Sequence, residues 1–144
     1  MTKERVVIAA DHAGFDLKET LKQELQSMGA EVMDLGTNGP EAVDYPDFAN
    51  ALADVIGEGQ ITRGVLLCGS GIGASIAANR HRAVRAALCH DVESARMSRL
   101  HNDANVIVLG GRVTDASVAK ACIRTFFSTE FEGGRHARRV AKMT

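Results

Sequence analysis

The stretch GVLLCGSGIGAS at residues 64–75 joins a short apolar run to a turn with glycine at alternate positions. An apolar run that leads directly into a glycine turn and then into helical spacing is typical of a buried strand in a parallel α/β sheet. Glycine at positions 69, 71 and 73 lets the backbone turn sharply, so that successive N–H groups can point at one negatively charged oxygen. The stretch therefore predicts both a fold class and an anion-binding loop.

Short β-branched runs recur on both sides of this stretch, and each is followed by residues with helical spacing. We predict strands over residues 5–9, 31–34, 64–67, 84–88 and 106–109. Strands that alternate with helices form a parallel sheet that is covered on both faces. The sequence thus predicts a three-layer αβα sandwich with a Rossmann-like sheet of about five strands.

The predicted helices have recognisable ends. The first ends at Gly29, and the second begins near Pro46 and stops at Gly57. Asp91 is the expected cap of a helix that runs to about residue 100, and Thr114 or Asp115 is the expected cap of the next one.

Length and composition predict a single cytoplasmic domain. The 144 residues form one domain, 1–144, with a basic tail at 130–144. The 17 basic and 18 acidic residues leave a net charge of −1, and only 4% of residues are aromatic, which argues against a nucleic-acid partner or a membrane surface. No apolar run reaches the roughly 18 residues of a membrane span. The three cysteines form no C-x-x-C pair, which favours reduced thiols in the cytoplasm.

Ligands of an open parallel sheet bind at the carboxyl ends of its strands, which draws attention to Cys68. Its thiol lies at the mouth of the glycine loop, where N–H donors and a helix N-terminus favour the thiolate. A base or nucleophile would then lie beside an oxyanion hole. The alternative is an ordinary strand–helix turn preceded by a small buried cysteine.

The same loop also fits the relaxed dinucleotide pattern G-x-G-x-x-A, with Asp91 near the expected distance downstream. A nucleotide-binding module is therefore the competing hypothesis. Two features weaken it: the motif follows the third strand rather than the first, and the chain has no room for a separate substrate domain.

Three further places carry candidate residues, each with a plainer alternative. Asp11 and His12 follow the first strand and could hold a phosphate or a sugar hydroxyl, or could simply cap a helix. His101 follows a helix, where histidine is commonly a partner of the helix dipole. Arg135 and Arg139 lie four residues apart and could clamp a phosphate, or could belong to a solvated basic tail. The five histidines show no H-x₃-H spacing, so we predict neither a metal nor a cofactor.

Seven motifs together resemble the ribose-5-phosphate isomerase B family, which also contains the galactose-6-phosphate isomerase subunits. They cover essentially the whole chain and follow the family's order: ADHAGF at 10–15, VDYP at 43–46, CGSGIG at 68–73, AANR at 77–80, HNDAN at 101–105, GGRV at 110–113 and EGGRH at 132–136.

The resemblance implies a metal-free aldose–ketose isomerase that works through a cis-enediolate. Cys68 matches the catalytic base of part of the family. Another branch uses a glutamate one helical turn later, where this chain has Ser75 or a neighbour, none of them acidic. Ser70 matches a hydroxyl that can bond the base or the substrate. His101 matches the residue that opens the furanose ring, and Asp11 lies on the side of the ring or C3 hydroxyl.

The resemblance also implies the substrate contacts and the substrate class. Phosphate would be bound by His12, Arg112, Arg135 and Arg139. The remaining contacts would come from Tyr45, Asn102 and the loop residues Gly69, Gly71, Ile72 and Gly73. Ribose 5-phosphate is the predicted substrate, and erythrose 4-phosphate, allose 6-phosphate and galactose 6-phosphate are the alternatives within the family.

The predicted fold separates two of these residues. Cys68 follows a strand, whereas His101 ends a helix that runs back to the opposite edge of the sheet, roughly 17–20 Å away for a typical strand. If both act on one sugar, a neighbouring chain must supply His101. We therefore predict a homodimer with shared active sites, alone or as a dimer of dimers.

Overall fold

The computed structural model describes residues 3–144, and its core is one sheet of five parallel strands. The strands are β1 (Arg5–Ala10), β2 (Glu31–Asp34), β3 (Arg63–Cys68), β4 (Ala86–Leu88) and β5 (Val106–Gly110). Their order across the sheet is β2-β1-β3-β5-β4, and each neighbouring pair is parallel. This confirms the predicted Rossmann-like sheet.

Six helices accompany the sheet: α1 (Phe15–Ser27), α2 (Tyr45–Glu58), α3 (Ile72–Ala78), α4 (Val92–Leu100), α5 (Ala116–Ser128) and α6 (Arg135–Ala141). The apolar residues of α1, α4 and α5 share one buried cluster with alternate strand residues such as Val65 and Leu67. Those of α2 and α3 share a second cluster with the intervening residues, including Leu66 and Cys68. Because strand side chains alternate between faces, the two clusters are the two outer interfaces of the predicted sandwich.

Two element boundaries differ from the prediction, each for a local reason. Strand β4 is shorter than the predicted 84–88. The N–H of Arg85 donates to Oδ1 of Asn105 (2.7 Å), and the N–H of Val84 donates to the carbonyl of His81 (3.0 Å) in a turn, so neither residue begins the strand. Helix α2 continues past Gly57 to Glu58, and it ends at a left-handed Gly59 (φ 92°), which is the residue that a C-terminal cap favours.

Two predicted caps take different forms. Asp91 caps α4 through a reciprocal capping box, in which its carboxylate accepts from the N–H of Ser94 (2.7 Å). Asp115 rather than Thr114 is the N-cap residue of α5; its carboxylate accepts from the hydroxyl of Ser117 (2.6 Å) rather than from a backbone N–H of the helix.

The basic tail is more ordered than its composition suggested. Residues 135–141 form α6, which buries His136 and Val140. These two residues lie one helical turn apart, which brings one histidine and one valine onto the same inward face, while the other residues of α6 are exposed. Across residues 3–144, no helix has the length and apolar character needed to cross a membrane.

Candidate active site

A cleft opens where the chain reverses direction across the sheet. From β1 the strand order runs outward to β2 on one side and to β3 on the other, so β1 and β3 flank the reversal point, the usual ligand crevice of an open parallel sheet. The cleft measures about 540 Å³, within the usual range for a small-molecule site. It brings together nine of the predicted site residues: Asp11, His12, Tyr45, Cys68, Gly69, Ser70, Ile72, Gly73 and Arg112.

Cys68 is the last residue of β3, and its side chain is almost entirely buried against the second core cluster. The backbone N–H of Gly71 donates to its Sγ (3.2 Å). Gly71 can do so because it adopts a left-handed conformation (φ 83°), which places its N–H over the end of the strand. The sulfur is thus held at the base of the loop by a backbone donor.

The loop uses some of its own donors. The hydroxyl oxygen of Ser70 accepts from the N–H of Ile72 (3.2 Å), while the N–H of Gly71 is directed at Cys68. The N–H groups of Gly71 and Ile72 are therefore used within the loop and do not face a ligand. Ser70 contacts the loop backbone rather than the thiol, which leaves its own O–H free to donate to a substrate oxygen.

Tyr45 closes one side of the cleft by packing directly over the loop. A Cβ atom at Gly73 would lie only 2.6 Å from Cε1 and 2.7 Å from the hydroxyl oxygen of Tyr45. A side chain at position 73 would therefore displace the Tyr45 ring from this place. Tyr45 is the first residue of α2, so the start of that helix fixes the ring above the loop.

Asp11 and His12 lie across the cleft from the loop, at the end of β1. Oδ1 of Asp11 accepts from the N–H groups of Ala13 (3.0 Å) and Gly14 (3.1 Å), so the carboxylate does cap the following turn. Nδ1 of His12 accepts from the N–H of Val43 (3.1 Å). An accepting Nδ1 places the proton of the neutral ring on Nε2, where it can be donated to a ligand oxygen.

Arg112 supplies positive charge to the same cleft. Its side chain lies along the loop, because a Cβ at Gly69 would be 3.6 Å from its Cδ and 3.7 Å from Nη1. The N–H of Arg112 donates to the carbonyl of Gly69 (2.9 Å), which ties the β5 turn to the loop after β3.

Four predicted residues lie outside this cleft, and Gly71, buried within the loop, is not among its lining residues. His101 is the residue that ends α4, which starts beside the carboxyl end of β4 and returns towards the amino end of β5. Asn102 lines a separate cavity with Arg85 and Met143. Arg135 and Arg139 are exposed on α6, and within residues 3–144 neither forms an ion pair.

The surroundings of His101 include two residues for which no role was predicted. Its ring stacks on that of His136, with the centroids 4.2 Å apart, and Glu132 lies beside His136. Burial lowers the pKa of His136, and electrostatic interaction with His101 and with the Arg135 guanidinium lowers it further. The signal that could have found His136 is its spacing four residues before Val140, which predicts a shared inward face of α6.

The arrangement of the cleft can be compared with that of known proteins. A sequence model of the ribose/galactose isomerase family matches residues 6–143. The chain belongs to this family. The match decides between the two interpretations of the glycine loop in favour of an isomerase.

Individual relatives match this chain over nearly their whole length. The ribose-5-phosphate isomerase B of Escherichia coli is 40% identical over 97% of this chain and 94% of its own. The D-erythrulose-4-phosphate isomerase of Pectobacterium atrosepticum is 45% identical over 96% and 91%. A crystal structure of a ribose 5-phosphate isomerase from Thermotoga maritima superposes with a TM-score of 0.95 at 48% identity, covering 99% and 98% of the two chains. This ribose/galactose isomerase family member is thus an aldose–ketose isomerase of phosphorylated sugars.

Proposed function

We propose that the protein interconverts ribose 5-phosphate and ribulose 5-phosphate, with Cys68 as the base that moves a proton between C2 and C1. The observation that carries this proposal is the position of the thiol. Cys68 lies at the bottom of the cleft, and residues 69–75 of the loop contain no carboxylate, histidine or second thiol. A base that acts next to a carbonyl must come within hydrogen-bond reach of the carbon acid, and Cys68 is the group of this loop that can do so.

The proposed reaction balances around two carbons. The Cys68 thiolate removes the proton from C2 of the open-chain aldose, and the electron pair of that C–H bond forms the C1–C2 double bond of a cis-enediolate. The negative charge develops on O1. The thiol then returns the proton to C1, while the proton of the C2 hydroxyl passes to O1, and C2 becomes the carbonyl of the ketose.

The charge on O1 needs donors that are already in place. The Ser70 hydroxyl and the N–H groups of the loop that are not used internally can supply them, and one such donor typically contributes about 2.7–4 kcal/mol. His12 and Arg112 lie on the rim of the same cleft and can contact the sugar or its phosphate. The phosphate then provides binding energy remote from the reacting carbons, which holds C1 and C2 over the base.

The second half of the site would come from another copy of the chain. His101, Asn102, Arg135 and Arg139 lie outside the cleft that contains Cys68, although the resemblance assigns all of them to one substrate. We therefore propose a homodimer, in which each cleft receives these four residues from its partner. His101 would open the furanose ring, and the two arginines would bind the phosphate as paired forks.

The choice of ribose 5-phosphate is tested by a substrate panel. The relatives from Escherichia coli and Pectobacterium atrosepticum carry the names of a five-carbon and a four-carbon substrate, so the chain length of the sugar is the open variable. We expect kcat/KM to be highest for ribose 5-phosphate among C4, C5 and C6 aldose phosphates. A higher value for erythrose 4-phosphate or allose 6-phosphate would overturn the choice of substrate and leave the family assignment intact.

The three cysteines also support a reducing compartment. Cys68, Cys89 and Cys122 are all free and buried. A catalytic thiol must stay reduced, and we therefore propose that the enzyme works in the cytoplasm.

A further inference from the structure

Three potential metal ligands meet at the end of α4, away from the cleft that holds Cys68 of the same chain. The ligand atoms of His101, Glu132 and His136 all lie within 4.8 Å of one another. Two imidazoles and one carboxylate form a donor set that binds Zn²⁺ in enzymes, with a fourth position left for water. The sequence did not predict this cluster, because the histidines lie 35 positions apart and only the fold brings them together.

The cluster has a polar atom without a partner. His136 is 6% exposed, and its Nε2 has no hydrogen-bond partner among the residues that the structure describes. The nearest carboxylate oxygen, Oε1 of Glu132, is 3.7 Å away, which is too far for a hydrogen bond. A buried polar group without a partner is costly, and a bound ligand would remove that cost.

The spacing of the donors is close to that of a tetrahedral site. With bonds of about 2.0–2.2 Å, two donors of a tetrahedral zinc ion lie roughly 3.3–3.5 Å apart. The 3.7 Å between Glu132 and His136 already approaches this value. The His101 ring lies 4.2 Å from the His136 ring and nearly parallel to it (16°), so one of the two rings must rotate out of the stack before both lone pairs can meet at one ion.

The backbone holds these three residues in place. The N–H of Glu132 donates to the carbonyl of Leu100 (3.1 Å), which fixes the tail to the end of α4 beside His101. Gly133 (φ 73°) and Gly134 (φ 57°) then turn the chain, so that His136 faces back towards Glu132 and His101. Glu132 is exposed, which leaves an ion a path from solvent.

We propose that His101, Glu132 and His136 form an inhibitory site for a divalent transition metal such as Zn²⁺. The inhibition rests on the proposed function, in which His101 opens the sugar ring. A histidine whose lone pair is bound to a metal cannot accept a proton. Metal binding would therefore withdraw His101 from the reaction, whereas the isomerase itself needs no metal.

The experiment measures binding and activity separately on metal-free protein. Zn²⁺ affinity is measured by competition with a chromophoric chelator, and Co²⁺ is used as a spectroscopic probe of tetrahedral coordination. The test variants are Glu132→Gln and His136→Asn. The controls are His90→Asn, which removes an exposed histidine elsewhere, and Cys68→Ser, which removes the thiolate as a competing ligand.

We expect both test variants to bind Zn²⁺ at least about tenfold more weakly, since disturbing even a partner of a metal ligand commonly costs about 10–100-fold in affinity. The two controls should bind as the wild type does. Zn²⁺ should inhibit the wild type reversibly, with EDTA restoring the rate, and Glu132→Gln should be resistant.

Three results would overturn the proposal: no saturable binding at submillimolar Zn²⁺, binding that is lost in Cys68→Ser but kept in both test variants, or equal inhibition of the wild type and Glu132→Gln. Failure of the proposed function gives a different pattern. In that case Co²⁺ binding would still depend on Glu132 and His136, although no sugar phosphate would be isomerised.

Discussion

Cys68 is the residue on which the proposed chemistry depends most. Replacing it with serine keeps an acceptor for the N–H of Gly71, which donates to Sγ at 3.2 Å in the native loop, so the loop should keep its shape. A serine hydroxyl is too weak an acid to act as the base at neutral pH. We expect kcat for ribose 5-phosphate to fall by about 10²–10⁴-fold in Cys68→Ser, the usual contribution of a general base.

Two measurements make this prediction decisive. Thermal unfolding should show that Cys68→Ser remains folded, and equilibrium binding should show that it still takes up the sugar phosphate. A variant that keeps more than about a tenth of the wild-type kcat would exclude Cys68 as the base, because the loss would be smaller than a general base supplies.

Cys122 gives a pH-dependent prediction that does not involve the cleft. Burial raises the pKa of its thiol from 9.0 to about 11, with a further contribution from Cys89. Above pH 9 the unfolded chain can release this proton while the folded chain still holds it. The stabilisation is therefore complete below pH 9 and is lost as the pH rises towards 11, at up to about 1.4 kcal/mol per pH unit.

We expect Cys122→Ala to lose less stability than the wild type between pH 8 and 10.5, by about 1–2 kcal/mol in the free energy of unfolding. The matched control is Ile123→Val, which removes a methyl group from the same buried face of α5 but no titrating group. Denaturant titrations at both pH values measure the difference. Equal pH dependence in Cys122→Ala and Ile123→Val would contradict the prediction.

Spacing along the chain identified residues of the site but missed an ion pair buried beside the sheet. Cys68, Asp11 and His12 follow strands directly, so their meeting at one sheet edge was predictable. The burial of Lys18 was not predictable, because a lysine beside Leu17 on a helix normally lies in solvent. Here it is fully buried and ion-paired with Asp34 (2.6 Å), a contact made possible by the packing of α1 beside β2.

At the scale of elements, α6 carries the proposed phosphate clamp. Arg135 and Arg139 lie one turn apart and are exposed, so each can donate to a phosphate oxygen. We expect Arg135→Ala and Arg139→Ala to raise KM for ribose 5-phosphate by roughly 10- to 100-fold, the loss of one charge-assisted contact. Their effect on any slow turnover of unphosphorylated ribose should be small.

Arg138→Ala is the control for these variants. It removes the same charge from the same helix, but residue 138 points about 100° away from Arg139 and about 60° away from Arg135, on the side of Arg135 opposite to Arg139. Steady-state kinetics of the three variants distinguish a clamp from a general effect of charge. Equal changes in all three, or equal losses on ribose and ribose 5-phosphate, would mean that the tail acts through structure or net charge.

The elements themselves were the most predictable part of the fold. All five strands and their alternation with helices follow from apolar runs and helical spacing. The ends of β4 and α2 could not be predicted in this way. The start of β4 depends on a contact that is distant in sequence, and the end of α2 depends on which of two glycines takes the left-handed conformation. Asn105 diverts Arg85 from the sheet, and Gly59 rather than Gly57 takes the left-handed conformation.

At the scale of the whole molecule, the fold divides the predicted site into two halves. Cys68 pairs with Gly110 at the carboxyl end of the sheet, whereas α4 delivers His101 near the amino end of β5. Register between strands can be inferred from a sequence. The contribution of a second chain to the active site cannot be inferred, because each residue follows only the local pattern of its own element. We therefore expect one sugar phosphate to be held between Cys68 of one chain and His101 of another.

Subunit mixing distinguishes a shared site from a site within one chain. Cys68→Ala and His101→Ala proteins, each inactive alone, are mixed in equal amounts and allowed to exchange subunits, and exchange is verified with a mass or affinity label. In a shared-site dimer every heterodimer has one intact cleft, so random reassortment should restore roughly a quarter of the wild-type activity. Zero recovery after verified exchange would contradict the claim, since sites confined to single chains cannot be repaired by any mixture.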